Sequence, residues 1–290
     1  MPPVRVALAT CSAVPAGNPD DHRVAELLGA RFEVWDDASV DWDSYDRVVV
    51  RSTWDYTTRV DEFLAWCHAV GPQRLRNRPA LIAFNADKRY LESLSVPTVT
   101  TRFVAPGAAV PDLSGEVVVK PSVSAGSVHT GRFSPSAHDG ARALIEQITA
   151  GGRTAMVQPF LEDIGARGEV AMVHFGGELS HTFVKRSVLA PDEVAPVAEG
   201  IPLVVAAAMF EDDLVTAGEA SPDEVALARS ALEELAETFG EMPLYARVDV
   251  VRDAGGHPVL LELEVVEPHL YLATSPGAAE RLAGLIAQVP

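Results

Sequence analysis

Hydrophobic and polar positions repeat with two periods along the first part of the chain, and each period predicts a different element. Runs of consecutive apolar residues are typical of buried strands, and apolar residues three or four apart are typical of helices. The pattern predicts strands at 4–9, 48–50 and 80–83 and helices at 21–30 and 61–70. Strands alternating with helices favour a mainly parallel sheet, which binds ligands beyond its carboxyl-terminal strand ends. The polar segment 51–56 follows one such end.

The rest of the chain predicts a second region that combines hairpins with helices. We expect one helix that Asn85-Ala86-Asp87-Lys88 opens and that ends near Leu94, and a second helix at 137–149. The expected strands lie at 98–104, directly before Lys120 and at 154–158. A hairpin with strands at 169–175 and 179–185 follows, and then an irregular acidic segment at 190–218. Ser221 and Glu224 form a capping box with Pro222 at the first helical position. They predict an amphipathic helix that stops at Gly240.

Strict alternation marks two further strands, at 244–251 and 258–265. A period of two places Arg247 and Asp249 on one face of the first strand, and Glu262 and Glu264 on one face of the second. If these faces coincide in a hairpin, three carboxylates and one guanidinium converge. Carboxylates that face each other repel, and a divalent cation such as Mg²⁺ or Mn²⁺ removes the penalty. A hairpin with one solvated, charged face is the alternative.

Composition and charge narrow the range of functions. The 290 residues are 48% apolar, which is ample for a core and suits one large or two modest domains. The net charge of −18 argues against nucleic acid, whose binders usually carry a basic surface. The longest uncharged apolar stretch, 201–210, is too short to span a membrane, and the amino terminus lacks signal-peptide features. Cys11 and Cys67 lie far apart and indicate reduced thiols, so we expect a cytoplasmic protein.

Lysine is scarce in this sequence, which has three lysines and 20 arginines. Lys120 ends an apolar run and is followed by the Gly/Ser-rich loop 121–131. Backbone N–H groups of such a loop can surround phosphates while the ammonium supplies a positive charge. Lys88 and Lys185 lie in segments that fit the same kind of site. The alternative for Lys120 is a salt-bridged surface lysine before an ordinary turn.

These motifs, in this order, resemble the ATP-grasp superfamily of carboxylate–amine ligases, with residues 85–265 carrying the specific matches. Asn85-Ala86-Asp87-Lys88 looks like the first lysine motif of the superfamily. Lys120 with loop 122–131 looks like the second lysine and the flap that closes on the phosphates, and 156–161 looks like the hinge that binds adenine. The sequence departs from the superfamily in two places. Glu264 occupies a position that is commonly Asn, and the flap has fewer glycines than in some members.

The resemblance implies an α/β (α+β) protein with an ATP-grasp fold, preceded by an amino-terminal α/β domain with a parallel sheet. We expect the amino-terminal domain at 1–84 and the ATP-grasp domain at 85–290. Within the second domain, the expected parts are a lid at 98–158, a hinge at 158–163 and a metal-binding subdomain at 164–290.

The resemblance also implies roles for individual residues. The residues expected to bind ATP are Lys88, Lys120, Ser127, Gln158, Pro159, Phe160, Leu161 and Glu169. The expected catalytic residues, which would hold the transferring phosphoryl group and the acyl phosphate, are Arg247, Arg186 and Lys185. The expected ligands of two Mg²⁺ (or Mn²⁺) ions are Asp249, Glu262 and Glu264.

Within the superfamily, segments 51–56 and 267–269 look similar to the ligases that close O-ureidoserine into cycloserine. This similarity implies a small amino-acid-like substrate, with Asp55 binding its ammonium group. The implied substrate contacts are Ser52, Trp54, Asp55, Tyr56, His129, Glu267 and His269. We therefore expect that ATP activates a carboxylate as an acyl phosphate, and that a nitrogen of the same molecule then forms an amide.

Other functions remain compatible with the sequence. One is ligation between two molecules, as in glutathione synthetase-like or D-alanine ligase-like enzymes. A non-catalytic nucleotide-binding module would be expected to have lost lysines or acidic residues that this chain keeps, and a kinase-like phosphotransferase would need a base for which no signature is visible. We expect neither a nucleic-acid nor a membrane partner, and the oligomeric state is open, with a homodimer as one candidate.

Overall fold

The strands of the protein form three sheets within residues 4–195 and 214–288, which are the part of the chain described by the computed structural model. The first sheet is parallel, as the sequence predicted, and its strand order is β2-β1-β3-β4. Its strands are β1 (Val6–Thr10), β2 (Arg31–Val34), β3 (Arg47–Ser52) and β4 (Leu75–Arg76). The helices of this part are α1 (His22–Leu28), α2 (Val60–Val70) and α3 (Pro79–Asn85).

Two predictions for this part of the chain were wrong. The predicted strand at 80–83 is the helix α3, which Pro79 begins in the first helical position. The predicted helix from Asn85 to Leu94 is instead a short 3₁₀ helix, Lys88–Glu92, and Asp87 caps it by accepting a hydrogen bond from the Arg89 amide. Strands β2 and β4 were not predicted.

The second sheet is antiparallel, with the order β11-β7-β6-β8-β5, and we call it the lid sheet. Its strands are β5 (Arg102–Val104), β6 (Val117–Pro121), β7 (Gly131–Phe133), β8 (Ala155–Pro159) and β11 (Glu193–Val194). Helix α4 (His138–Ala150) packs on the sheet through Leu144, Ile145 and Ile148, which share a core with Val117 and Val119. This layer presents Lys120, at the end of β6, toward the third sheet.

The third sheet is also antiparallel and has the order β12-β10-β9-β13-β14. Its strands are β9 (Glu169–Phe175), β10 (Glu178–Lys185), β12 (Val215–Ala217), β13 (Tyr245–Arg252) and β14 (Pro258–Glu264), and the accompanying helices are α5 (Glu162–Ala166), α6 (Pro222–Phe239) and α7 (Ala278–Gln288). Both predicted hairpins and the capping box of α6 are confirmed. Strands β11 and β12 form part of the segment expected to be irregular, and the stretch 201–210 lies outside the described residues.

The first and third sheets share a hydrophobic core. Leu8 of β1 and Tyr245 of β13 belong to one buried cluster with Leu282 of α7. The single proton of the Tyr245 hydroxyl is shared between the carbonyls of Val50 (2.6 Å) and Val266 (2.8 Å). These contacts fix the carboxyl-terminal end of β3 beside the segment that follows β14.

The side chain of Asn85, the last residue of α3, hydrogen-bonds to the end of β14 and to the residue that follows it. The Asn85 amide donates to the Leu263 carbonyl at 2.7 Å, and its oxygen accepts from the Val265 N–H at 2.9 Å. The motif that opens with Asn85 therefore places Lys88 beside the acidic face of β14. The boundary at residue 84 stays a prediction, and α3 spans it.

The structure bears on two expectations, that the cysteines are reduced and that the chain does not span a membrane. Cys11 and Cys67 are buried free thiols. Across the described residues, no helix combines the length and the apolar character needed to cross a membrane.

Candidate active site

The pairing register of β13 and β14 brings their polar faces together. Arg247 lies opposite Glu264, and Asp249 lies opposite Glu262. Val248 and Leu263 point to the other side of the sheet and pack in the core beneath α6. The alternation seen in the sequence thus produces one face with three carboxylates and a guanidinium, as predicted.

Two of the three lysines pair with Glu262, one from the 3₁₀ helix after α3 and one from the lid sheet. Lys88 Nζ lies 3.1 Å from Glu262 Oε1, and Lys120 Nζ lies 3.5 Å from Oε2. Lys88 also donates to the Ser124 carbonyl at 2.8 Å, which ties the ammonium to the first part of the flap. All three charged side chains are largely buried, and the pairs therefore act in a medium of reduced dielectric constant.

The third lysine and Arg247 hold the other two carboxylates. Lys185 Nζ lies 2.6 Å from Asp249 Oδ2 and 2.9 Å from Glu169 Oε2. Arg247 Nε lies 2.9 Å from Asp249 Oδ1, and Arg247 also pairs with Glu264. Asp249 is completely buried, and both of its oxygens accept from cations.

The pKa values show how unevenly the positive charge is distributed. Burial raises the pKa of Glu262, but Lys120 and Lys88 outweigh burial and hold it well below its usual range. Burial also raises the pKa of Asp249, and Arg247 and Lys185 again reverse the effect. For Glu264 the balance is different, because burial, Glu262 and Asp249 raise its pKa despite Arg247. The cations therefore stabilise the ionised forms of Glu262 and Asp249 more than that of Glu264.

Two hollows meet at this acidic face. The first, which we call the lid cleft, lies between the lid sheet and the third sheet and has a volume of about 190 Å³. The predicted site residues that line it are Lys88, Lys120, Ser127, Gln158, Pro159, Phe160, Glu169, Lys185, Arg186, Arg247, Glu262 and Glu264. The guanidinium of Arg132, which was not predicted, lies 3.4 Å from the centre of the Phe160 ring in the same cleft.

The second hollow, which we call the inner cavity, has a volume of about 450 Å³ and lies on the side of the first sheet. The predicted site residues that line it are Trp54, Tyr56, Lys88, Arg247, Glu262, Glu264, Glu267 and His269. The two hollows share Lys88, Arg247, Glu262, Glu264 and the flap residues 124–126. A molecule in the inner cavity would therefore lie next to a molecule in the lid cleft.

Two residues predicted to contact substrate have other partners. The Ser52 hydroxyl is buried and donates to Thr10 Oγ1 at 2.8 Å. Asp55 accepts from the Trp35 indole at 2.9 Å and pairs with Arg59 at 2.7 Å. Neither lines the inner cavity. Ser52 is the last residue of β3, and the 3₁₀ helix Trp54–Thr58 that follows places Trp54 and Tyr56 on the cavity wall but not Asp55.

Three further predicted residues lie near the hollows without lining them. His129 is in the flap in a left-handed conformation, with φ of 53°. Leu161 precedes α5 and packs with the small cluster around Ile164. Asp249 lies behind Lys185 and Arg247. Their expected roles stay predictions.

The sequence analysis missed one wall of the inner cavity. Val14, Asn18 and Pro19, in the loop after β1, line this wall. The signal was available, because the rule that directs ligands to the carboxyl-terminal ends of parallel strands applies to β1 as well as to β3. Asn85 and Tyr90 also line the cavity and were missed.

The chemistry of the donors fits a divalent metal ion. Glu262 and Glu264 present carboxylate oxygens, the ligand type that divalent ions such as Mg²⁺ prefer, to both hollows. Over the described ranges, no group of three acidic, histidine or cysteine residues is arranged to hold a metal on its own. An ion at Glu262 and Glu264 would need further ligands, since Asp249 and Glu262 are each held by two protein cations.

Comparison with known proteins gives consistent matches. Residues 6–77 match the family model described as the D-cycloserine synthetase DcsG N-terminal domain. The cycloserine biosynthesis protein DcsG of Streptomyces lavendulae is 35% identical over 279 residues, which cover 90% of this chain and 89% of that protein. The crystal structure of D-cycloserine synthetase DcsG matches with a TM-score of 0.84 and 31% identity, covering 98% of both chains.

More distant structures share the fold. A RimK domain ATP-grasp protein from Sphaerobacter thermophilus has a TM-score of 0.63 at 19% identity and covers 98% of both chains. D-alanine–D-alanine ligase from Bacillus anthracis, solved with ATP, has a TM-score of 0.58 at 12% identity over 98% of this chain and 96% of that one. Among further structures that share the fold, N5-carboxyaminoimidazole ribonucleotide synthetase was solved with ADP and the ATP-grasp ligase PsnB with Mg and ADP. The chain therefore belongs to the DcsG family of ATP-grasp ligases and is an ATP-dependent ligase.

Proposed function

We propose that this ligase activates the carboxylate of one small amino acid of the O-ureidoserine type and closes it into a cycloserine-type ring. The main support for this proposal is that the inner cavity and the lid cleft share Lys88, Arg247, Glu262 and Glu264. A carboxylate in the inner cavity would thus lie beside the terminal phosphate of a nucleotide in the lid cleft. The names of two relatives, a cycloserine biosynthesis protein and a D-cycloserine synthetase, support the choice of substrate.

The first step joins the substrate carboxylate to the terminal phosphoryl group. A carboxylate oxygen forms a bond to the γ-phosphorus while the bond from phosphorus to the β,γ-bridging oxygen breaks, which gives an acyl phosphate and ADP. Lys88 and Lys120 neutralise charge on the α- and β-phosphates. Arg247 and Arg186 donate to the transferring group, which needs electrostatic stabilisation and alignment more than covalent help.

The second step forms the amide. A nitrogen of the same molecule attacks the acyl carbon, phosphate leaves with the electron pair of the carbon–oxygen bond, and the nitrogen loses a proton. Closure of the flap, residues 122–131, excludes water that would otherwise hydrolyse the acyl phosphate. Lys88 already donates a hydrogen bond to the carbonyl of Ser124 in the flap, so one end of the flap contacts the site before closure.

Mg²⁺ or Mn²⁺, which we expect as two ions, would screen the phosphate charge and align the reacting oxygens. Glu262 and Glu264 would hold the ions, with Asp249 behind them. Lys88 and Lys120 pair with Glu262 at 3.1 and 3.5 Å and would move to phosphate oxygens as the ions bind. The protein works without nucleic-acid or membrane partners in this proposal, as a monomer or a homodimer.

The test is phosphate release from ATP and Mg²⁺ with a panel of amino acids that includes O-ureidoserine. Release with O-ureidoserine alone, together with a cyclic product in mass spectrometry, is the expected result. Release that requires a second amine would instead support ligation between two molecules, and no release with any compound would support a silent nucleotide-binding module. Glu262→Gln should abolish release, whereas Glu280→Gln, which removes one partner of an exposed pair with Arg23, should not.

A further inference from the structure

Glu267 differs from the other carboxylates that line the inner cavity. Glu262 pairs with two lysines and Glu264 pairs with Arg247. Over residues 4–195 and 214–288, no lysine, arginine or histidine forms an ion pair with Glu267. Its carboxylate interacts with the Tyr56 hydroxyl and with its own backbone N–H.

The surroundings of Glu267 make the lack of a cation costly. Burial raises its pKa to about 8, and the negative charges of Glu264 and Glu262 add to the effect, while the more distant Lys88 reduces it only in part. An ionised carboxylate at this position needs a positive charge within a few ångströms. Within the described part of the chain no cation pairs directly with Glu267, and this carboxylate lines a cavity that can admit a ligand carrying a positive charge.

The walls next to Glu267 suit an organic ammonium group. Trp54 and Tyr56 line the same cavity, and aromatic faces attract ammonium ions through their quadrupoles. Arg247 also lines this cavity and can bind a carboxylate. An α-amino acid carries both charges within one small group of atoms. The cavity therefore offers complementary partners for both ends of a zwitterion.

Resting on the proposed function, we propose that Glu267 binds the α-ammonium group of the substrate and that this contact restricts the enzyme to α-amino acids. Glu267 then takes the role that the sequence analysis gave to Asp55, whose carboxylate is held by Arg59 and Trp35. The substrate carboxylate lies toward Arg247 and Lys88, where the two hollows meet. This orientation leaves the side chain of the amino acid facing the wall formed by Val14 and Asn18.

The experiment compares two ligands and two proteins by isothermal titration calorimetry in the presence of Mg²⁺ and a non-hydrolysable ATP analogue. The ligands are O-ureidoserine and the same compound with hydrogen in place of the amino group. The wild type should bind the amino compound about 10- to 100-fold more tightly, the range expected for a charge-assisted hydrogen bond. Glu267→Gln should bind the two compounds with nearly equal affinity.

Two controls separate this contact from a general defect. Glu267→Gln should bind the ATP analogue as tightly as the wild type does, and Glu280→Gln should keep the full preference for the amino compound. A preference that persists in Glu267→Gln, equal weakening of both compounds, or no binding of either compound to the wild type would each overturn the inference. If the wild type shows the preference but releases no phosphate from ATP, the proposed function fails and the inference stands.

Discussion

The Arg51–Asp21 pair allows a sharp test of how the wall of the inner cavity is held. Arg51 Nε lies 2.9 Å from Asp21 Oδ1, and the two side chains are 2% and 1% exposed. Arg51 Nη2 donates to the Pro268 carbonyl at 3.0 Å, and the guanidinium lies 5.0 Å from the centre of the Tyr245 ring. Pro268 lies between Glu267 and His269, which line the inner cavity. The Arg51–Asp21 pair therefore links the amino-terminal sheet to this wall of the cavity.

The perturbation is Arg51→Met, which keeps an apolar stem but removes the cation. Asp21 then has no cationic partner in a fully buried position. Removing one member of a buried pair costs about 3–5 kcal/mol because a charge is left uncompensated. For a chain of this size, each kcal/mol shifts the melting temperature by roughly 2–4 °C. We therefore expect Arg51→Met to melt about 6–20 °C below the wild type in differential scanning fluorimetry.

The pH dependence of this loss has a defined sign. In the wild type, burial raises the pKa of Asp21 above its ordinary value of 3.8, and Arg51 only partly opposes this. A carboxyl whose pKa is raised on folding contributes stability below its unfolded pKa, and that stability is lost as the pH rises through the folded pKa. Arg51→Met raises the folded pKa further. The difference in melting temperature between variant and wild type should thus be smaller at pH 4 than at pH 7.

The double variant Arg51→Met/Asp21→Asn is the decisive control. It removes both charges, and it should regain most of the stability that Arg51→Met loses, since no uncompensated charge remains. Arg51→Met should also raise the KM for the amino acid and leave the KM for ATP unchanged, because Pro268 belongs to the wall of the inner cavity only. A double variant no more stable than Arg51→Met, or a loss independent of pH, would refute this account.

Three further predictions concern other parts of the fold. Gly168→Ala should lower the free energy of unfolding by about 1–3 kcal/mol in chemical denaturation and weaken ATP binding, because φ is +87° and a Cβ would lie 2.5 Å from the Lys185 carbonyl oxygen. Gly256→Ala is the matched control: φ is +77° but the Cβ would meet open space, so this variant should lose stability without weaker ATP binding. Burial lowers the pKa of His174 to about 4. A depressed histidine pKa contributes stability above the unfolded pKa of about 6.5, so about 3 kcal/mol should be lost as the pH falls toward 4. In melting curves recorded across this pH range, His174→Gln should not show the loss that His174 causes. Lys120→Met should weaken ATP about 10- to 100-fold in calorimetry, and unchanged affinity would contradict its role.

The elements predicted best were those whose signals are local. The β13–β14 hairpin follows from strict alternation, and helix α6 follows from the capping box at its start and the glycine at its end. The error at 80–83 arose because a short apolar run fits a strand and a buried helix equally well. Pro79 was the signal that favours a helix, since proline is suited to the first helical position.

The site was predictable in part, for a physical reason. Alternation decides which side chains share a face, so the acidic group on β13 and β14 could be derived from the sequence. Alternation does not decide where a side chain points once the chain leaves the strand. Asp55 turns away from the cavity within a 3₁₀ helix, and Asn18 enters the cavity from a loop without periodicity. These orientations depend on packing between distant segments.

The ion pairs of the site suggest why binding of metal and nucleotide should be coupled. Glu262 is held by Lys88 and Lys120, and Asp249 is held by Lys185 and Arg247. A metal ion alone would displace ammonium groups and leave them buried without anions, and a triphosphate alone would do the same to the carboxylates. Either step carries the cost of an uncompensated buried charge. If both arrived together, Lys88 and Lys120 would pair with phosphate oxygens while Glu262 would bind the metal ion, and each of these charges would keep a partner of opposite sign.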